Sequence, residues 1–134
     1  MNYFKKITDE LNSVSVNEMY KIIMEYGEET EFPKELMTRN NQVPGCINRA
    51  YIHCELRDGK VYYSGHSESK IVNGYIAILI KGLNGLKPKE VIEAGKDIEN
   101  FVMKTHIKSN LTPSRANAFG NIYELMIKKA KEYI

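Results

Sequence analysis

Cysteine is scarce here: of 134 residues only Cys46 and Cys54 carry a thiol, with neither a Cys-x-x-Cys pair nor the dense spacing of a secreted disulfide scaffold. Two lone thiols point to a reducing compartment. Long apolar runs are missing too. The longest, Tyr75 to Ile80, falls far short of the roughly 20 residues a membrane span requires, and the N-terminus carries no apolar signal core. A cytoplasmic address with no membrane partner is the expectation. Nor is one sign of charge in excess: 19 Lys and Arg against 17 Asp and Glu leave +2, scattered rather than striped, which gives nucleic acid no footprint. The Lys128, Lys129, Lys131 cluster reads as a solvated helix end complementing the macrodipole.

Motifs of common chemistries are absent as well. There is no Gly-x-Gly-x-x-Gly, Walker loop or Ser nucleophile elbow, and Glu28, Glu29 and Glu31 read as a solvated helix end rather than an acid/base pair. His53 and Cys54 fall on opposite faces of one extended segment and His106 on another element, so no metal-ligand spacing results. Neither a metal nor a resident cofactor is expected. What is present, 43% hydrophobic and 27% charged residues, suits one compact domain over 1–134. At this length about two thirds of the unfolded surface can be buried, enough for a core without staples.

Phe4, Ile7 and Leu11 recur at helical spacing, and Ser15-Val16-Asn17-Glu18 has the form of a capping box opening a second helix. Met19, Tyr20, Ile23 and Tyr26 form its apolar face, and Gly27 is placed to end it in a left-handed turn. Pro33 marks a loop, and residues 38–45, rich in turn formers, lead straight into Cys46. From Ala50 the period changes to two. Ala50, Ile52, Cys54 and Leu56 share one face and Tyr51, His53 and Glu55 the other; with the Asp58-Gly59 turn and Val61–Ser64, residues 50–64 read as an antiparallel hairpin ended by Gly65. Ser67 is placed to cap a helix through Ile71, Val72, Tyr75, Ile76, Leu79 and Ile80, apolar nearly all round as a central helix should be. Pro88 opens a short helix stopped near Gly95, Asp97 caps another through Ile98, Phe101 and Val102, and Thr112-Pro113 opens a long helix with the stripe Ala116, Phe119, Tyr123, Met126 and Ala130. Helices, a hairpin, then helices indicate an α+β fold of two layers, a small antiparallel β-sheet packed against helices.

Cys46 is the leading chemical candidate. A nucleophilic or sulfur-carrying thiol must be reachable, and a Pro-Gly-Cys loop tip admits a partner where a strand or helix would obstruct it. The competing reading is a small buried hydrophobe. Arg49 raises the thiolate fraction if its guanidinium lies close, since neighbouring cations lower a thiol pKa. Cys54, by strand parity, belongs to packing, which argues against a Cys46–Cys54 disulfide and hence against a thiol-disulfide or peroxide-reactive enzyme. His66 reads as a turn residue beside Ser67.

Four segments together resemble one known family: Glu18-Met19-Tyr20-Lys21-Ile22-Ile23 with Gly27; Val43-Pro44-Gly45-Cys46; Ser64-Gly65-His66-Ser67-Glu68 with Ile71-Val72-Asn73-Gly74; and Leu111-Thr112-Pro113-Ser114-Arg115. The chain is similar to the SufE and CsdE proteins, which accept sulfur from cysteine desulfurases for iron–sulfur cluster assembly. The resemblance implies a SufE/NifU-like fold and makes Cys46 the persulfide acceptor, on a loop shielded in an apolar pocket until a partner docks. It implies a sulfur carrier and desulfurase activator rather than a stand-alone enzyme. The partner would be a SufS- or CsdA-like desulfurase, which holds the pyridoxal phosphate, with an iron–sulfur scaffold downstream; a homodimer is compatible with the sequence.

The chain departs from the family pattern in places. Ile47-Asn48-Arg49-Ala50-Tyr51 replaces the usual Gln-Ser-Gln-Val-Trp, and there is no tryptophan at all. His66 stands where the family has an acid. Glu68 is either a helix-start acid or part of the support beneath the cysteine loop. Arg115 is either a loop-supporting donor or a docking contact, and Ala118 replaces a glycine. The altered loop leaves a second reading open, a regulator that docks on the desulfurase without carrying sulfur.

Overall fold

The computed structural model describes residues 2–28, 30–45, 48–107 and 113–134, the side chains of 113–116 excepted. Helices α1 (Asn2–Asn12) and α2 (Val16–Tyr26) precede a loop with two short 3-10 turns, Lys34–Leu36 and Arg39–Asn41. Strands β1 (Ala50–Arg57) and β2 (Lys60–Ser67) follow, then helices α3 (Lys70–Leu83), α4 (Pro88–Glu93), α5 (Gly95–Lys104) and α6 (Pro113–Lys131). The α+β reading and the helix-on-hairpin layering hold.

The hairpin forms where local backbone demand is strongest. Asp58 (φ 52°) and Gly59 (φ 76°) both adopt positive φ, the geometry a two-residue hairpin turn needs to match strand twist. Pairing runs from Arg57↔Lys60 to Ala50↔Ser67, two residues beyond Gly65, where the sequence reading ended the strand. His66 is therefore a strand residue opposite Tyr51, not a turn residue, and Ser69 rather than Ser67 caps α3, its Oγ accepting the Val72 N–H at 3.3 Å. The cap moves because Ser67 is taken by strand pairing.

Helix α3 is the centre of the molecule, burying Val72, Tyr75, Ile76, Ile78, Leu79 and Leu83 against β2, α2 and α6. Its core also takes in Phe4, Ile23, Phe101 and Phe119, each side chain contributing about 1.5–3 kcal/mol of transfer free energy. Gly74 is there for closeness: a Cβ would run into the Ile23 carbonyl of α2. Gly27 serves the same contact. It ends α2 in a right-handed conformation (φ −86°), contrary to the expected left-handed turn, and a Cβ on it would come within 2.9 Å of the Asn73 carbonyl carbon and the Gly74 nitrogen. Tyr63 Oη donates to the Met126 carbonyl at 2.8 Å and Tyr123 Oη to that of Val91 at 2.6 Å, fixing α6 to the hairpin and to α4. Asp97 lies inside the first turn of α5, which follows α4 at Gly95 without a separate side-chain cap.

Candidate functional site

Cys46 lies between two stems, residues 42–45 before it and residues 48–50 after it. Cys46 and Ile47 themselves lie outside the described residues; both stems are described. The Val43 N–H donates to the Ala50 carbonyl at 2.8 Å and Gln42 forms an antiparallel bridge with Tyr51, so the two stems leave the end of the hairpin side by side. Gly45 is needed twice over: its φ is +78°, and a Cβ would stand 3.0 Å from Asn121 Nδ2 on α6. Pro44-Gly45 thus packs its turn on the last helix.

The returning stem is anchored deep. Ser67 Oγ donates to the Arg49 carbonyl at 3.0 Å and accepts the Ser69 N–H at 3.2 Å. The Ser67 N–H in turn donates to Asn73 Oδ1 at 3.1 Å, while Asn73 Nδ2 donates at 2.8 Å to both the Gly27 carbonyl and Thr30 Oγ1. One amide thereby joins α2, α3, β2 and the chain leaving the cysteine loop. Phe32 stacks on Tyr51 (6.3 Å, 20°), burying a strand face that alternation assigns to solvent.

Strand register gathers three of the expected site residues at this end of the hairpin: Arg49, His66 and Glu68. Arg49 is exposed and meets the fold through its carbonyl. His66 is half-buried. Glu68 is exposed and immediately precedes the Ser69 cap of α3, whose first turn holds no acid. Arg115 lies in the first turn of α6, but its side chain is outside the described residues, as is Thr112, the expected cap.

Sequence reasoning missed Asn73 as a hub, although a polar residue inside a helix apolar nearly all round was a signal that it had partners. It also missed Asn41 and Lys129. Lys129 Nζ donates to Asn41 Oδ1 at 2.6 Å, and its partial burial lowers its pKa, so the lysine cluster is not uniformly solvated. Asn41 is 6% exposed and its Nδ2 donates to the Leu36 carbonyl at 2.8 Å.

Cys54 behaves as strand parity expects. It is 8% exposed and desolvation pushes its thiol up to about 11, against smaller downward pulls from the Lys129 charge and a Tyr63 hydrogen bond. Burial thus keeps this thiol protonated at neutral pH, and a buried neutral thiol is inert. A cavity of about 750 Å³ lined by Arg39, Asn41, Pro44, His53, Cys54 and Lys129 flanks the leading stem. A second, of about 710 Å³, lies between α5 and α6 with Gly45 at its rim and Val102, Met103 and Ile127 along its wall. Among the described residues no group of three His, Cys, Asp or Glu side chains is arranged to hold a metal ion, and no helix is long and apolar enough to cross a membrane.

Fold and site together define an α+β protein in which the two stems flanking Cys46 pair at the end of a hairpin. Residues 5–130 match the family model SufE, the Fe-S metabolism associated domain, and the chain belongs to that family. It is 43% identical over 112 residues to an uncharacterized SufE-like protein of Synechocystis, covering 83% of this chain and 69% of that one. To the cysteine desulfuration protein SufE of Wigglesworthia glossinidia brevipalpis it is 31% identical over 116 residues, covering 85% and 79%. The solution structure of a hypothetical protein from Thermus thermophilus superposes with a TM-score of 0.78 at 18% identity, over 98% of this chain and 95% of that one, and shares the fold.

Proposed function

We propose that this protein accepts sulfane sulfur onto Cys46 from the persulfide of a cysteine desulfurase, accelerates that enzyme by removing its product, and passes the sulfur toward iron–sulfur cluster assembly. Membership of the SufE family and the desulfuration role named for a relative support the reaction class. The observation that carries the choice of residue is the pair of stems. Backbone pairing and the Ser67–Asn73 network pin both sides of the cysteine loop to the folded body, while the other thiol is buried and held protonated.

The step needs little apparatus. The Cys46 thiol loses its proton, and the thiolate attacks the terminal sulfur of the donor persulfide; a new S–S bond forms at Cys46 as the donor S–S bond breaks. The donor cysteine leaves as a thiolate and takes up a proton, so no net oxidation occurs. The pyridoxal phosphate that cleaves the carbon–sulfur bond of cysteine belongs in this reading to the partner. A scaffold receives the sulfur next, and the reducing cytoplasm, where free thiols persist, is the compartment we assign.

The rate of alanine formation by a cysteine desulfurase, with and without this protein, tests the proposal. Wild type is expected to accelerate turnover and Cys46→Ser to leave it at the basal rate. Equal acceleration by both would overturn the carrier reading in favour of a docking regulator, the reading that the altered residues after Cys46 leave open.

A further inference from the structure

The leading stem of the cysteine loop is held by a contact unlike those that hold the returning stem. Asn41 lies five positions before Cys46, at the end of the 3-10 turn Arg39–Asn41. Its buried amide faces two ways, accepting from Lys129 Nζ at 2.6 Å and donating to the Leu36 carbonyl at 2.8 Å. An ammonium only donates and a carbonyl only accepts, so this pair of partners fixes which end of the amide points where. The two residues stand 88 positions apart and bond from the loop to the last helix. Within three residues of Asn41, the Val43 N–H closes the stem onto Ala50 and Pro44 begins the turn that packs on Asn121.

The choice of partner is informative. Lys129 has carboxylates nearby at Glu124 and Glu132, which line the same cavity, yet its short contact is to a neutral amide. For an exposed lysine a solvated carboxylate partner would serve as well. A partly buried ammonium directed onto a buried amide at the base of the stem serves to hold the stem in place.

We propose that Lys129 is a positioning residue for sulfur transfer: through Asn41 it sets the leading stem of the cysteine loop, and with it the approach of Cys46 to the donor persulfide. This rests on the reading of Cys46 as acceptor. In this proposal Lys129 acts through its bond to Asn41.

The test combines single-turnover sulfur transfer from a persulfide-loaded desulfurase with amide hydrogen exchange on the full chain, for wild type, Lys129→Met, Lys129→Arg, Asn41→Ala and the double variant Lys129→Met/Asn41→Ala. Lys129→Met keeps the apolar stem of the side chain and removes the donor. It is expected to slow transfer about tenfold, since small misplacements of a reacting group are costly, with KM for the desulfurase within about twofold of wild type. The Arg variant, which keeps a donor, restores most of the rate. The double variant transfers no more slowly than the slower single one, because both single changes remove the same Lys129–Asn41 bond. Amides 41–43 exchange faster in Lys129→Met, while those of β1, β2 and α3 do not change.

Wild-type transfer by Lys129→Met, a change confined to KM, or additive losses in the double variant would each overturn the proposal. If wild-type Cys46 takes up no sulfur, the functional reading fails separately. The mechanical claim is then judged by exchange at 41–43, where rates unchanged by Lys129→Met refute it.

Discussion

The two stems of the cysteine loop are held by different means. The returning stem, through Arg49 and Ser67, ends in the Asn73 amide, whose partners on α2, β2 and the adjoining loop belong to the central packing of the molecule. The leading stem is buried at Val43, whose N–H donates to the Ala50 carbonyl, and adds a side-chain contact from Lys129 of α6 to Asn41 at the edge of a cavity. One side is therefore tied to the central helix and the other to the last one. The side tied to α3, at the centre of the molecule, is the more deeply fixed one.

The sharpest way to break the fixed side is to push apart the helices that place Asn73. Gly74→Ala sets a methyl against the Ile23 carbonyl, and the overpacking is expected to cost about 3 kcal/mol or more, read as a lowered urea midpoint. Asn73→Ala keeps the helices together but strands the Ser67 N–H, while the Gly27 carbonyl and the Thr30 hydroxyl lose one partner and keep each other. A loss of about 1–3 kcal/mol is expected, with faster amide exchange at Ser67 but not at Asn41. If exchange at Asn41 rose equally, the stems would form one unit and the comparison would fail.

A smaller effect concerns the second thiol. Folding raises the Cys54 pKa from its ordinary 9.0 to about 11 by desolvation, so the folded state keeps a proton that the unfolded chain releases first. This stabilisation is complete below pH 9 and is lost as the pH rises from 9 to about 11. Tyr123, raised from 10.0 to about 12 by burial, adds a later loss. Urea midpoints are expected to be flat around neutrality and to fall above pH 9, and Cys54→Ala is expected to delay the onset toward pH 10. The smallest effect belongs to Arg49. Its link to Ser67 runs through the backbone carbonyl, so Arg49→Ala is expected to shift stability by no more than about 0.5 kcal/mol.

Features resting on local chemistry were legible in the sequence. Asp58-Gly59 marks its own turn, period-two alternation put Cys54 inside, and the nearly all-apolar run of α3 announced a central helix. Features depending on distant partners were not. Whether Ser67 or Ser69 caps α3 turns on whether the strand reaches Ser67, which Ala50 decides across the hairpin. Tyr51 looked solvent-facing until Phe32 covered it. Lys129 sits in a cluster whose pattern resembles any solvated helix end, and nothing local announces an asparagine 88 positions away. Gly27 was correctly marked as special but for the wrong reason: it answers to the backbone of α3 rather than to its own φ. At the candidate site, the motif identified the loop, and long-range hydrogen bonds hold its stems.

The most direct test of the central claim is peptide mass spectrometry of this protein after incubation with a cysteine desulfurase and cysteine, with Cys46→Ser as the control. The account predicts added sulfur on the peptide carrying Cys46, none on that carrying Cys54, and none in the control. Sulfur found on Cys54, or on no residue while turnover still rises, would contradict it.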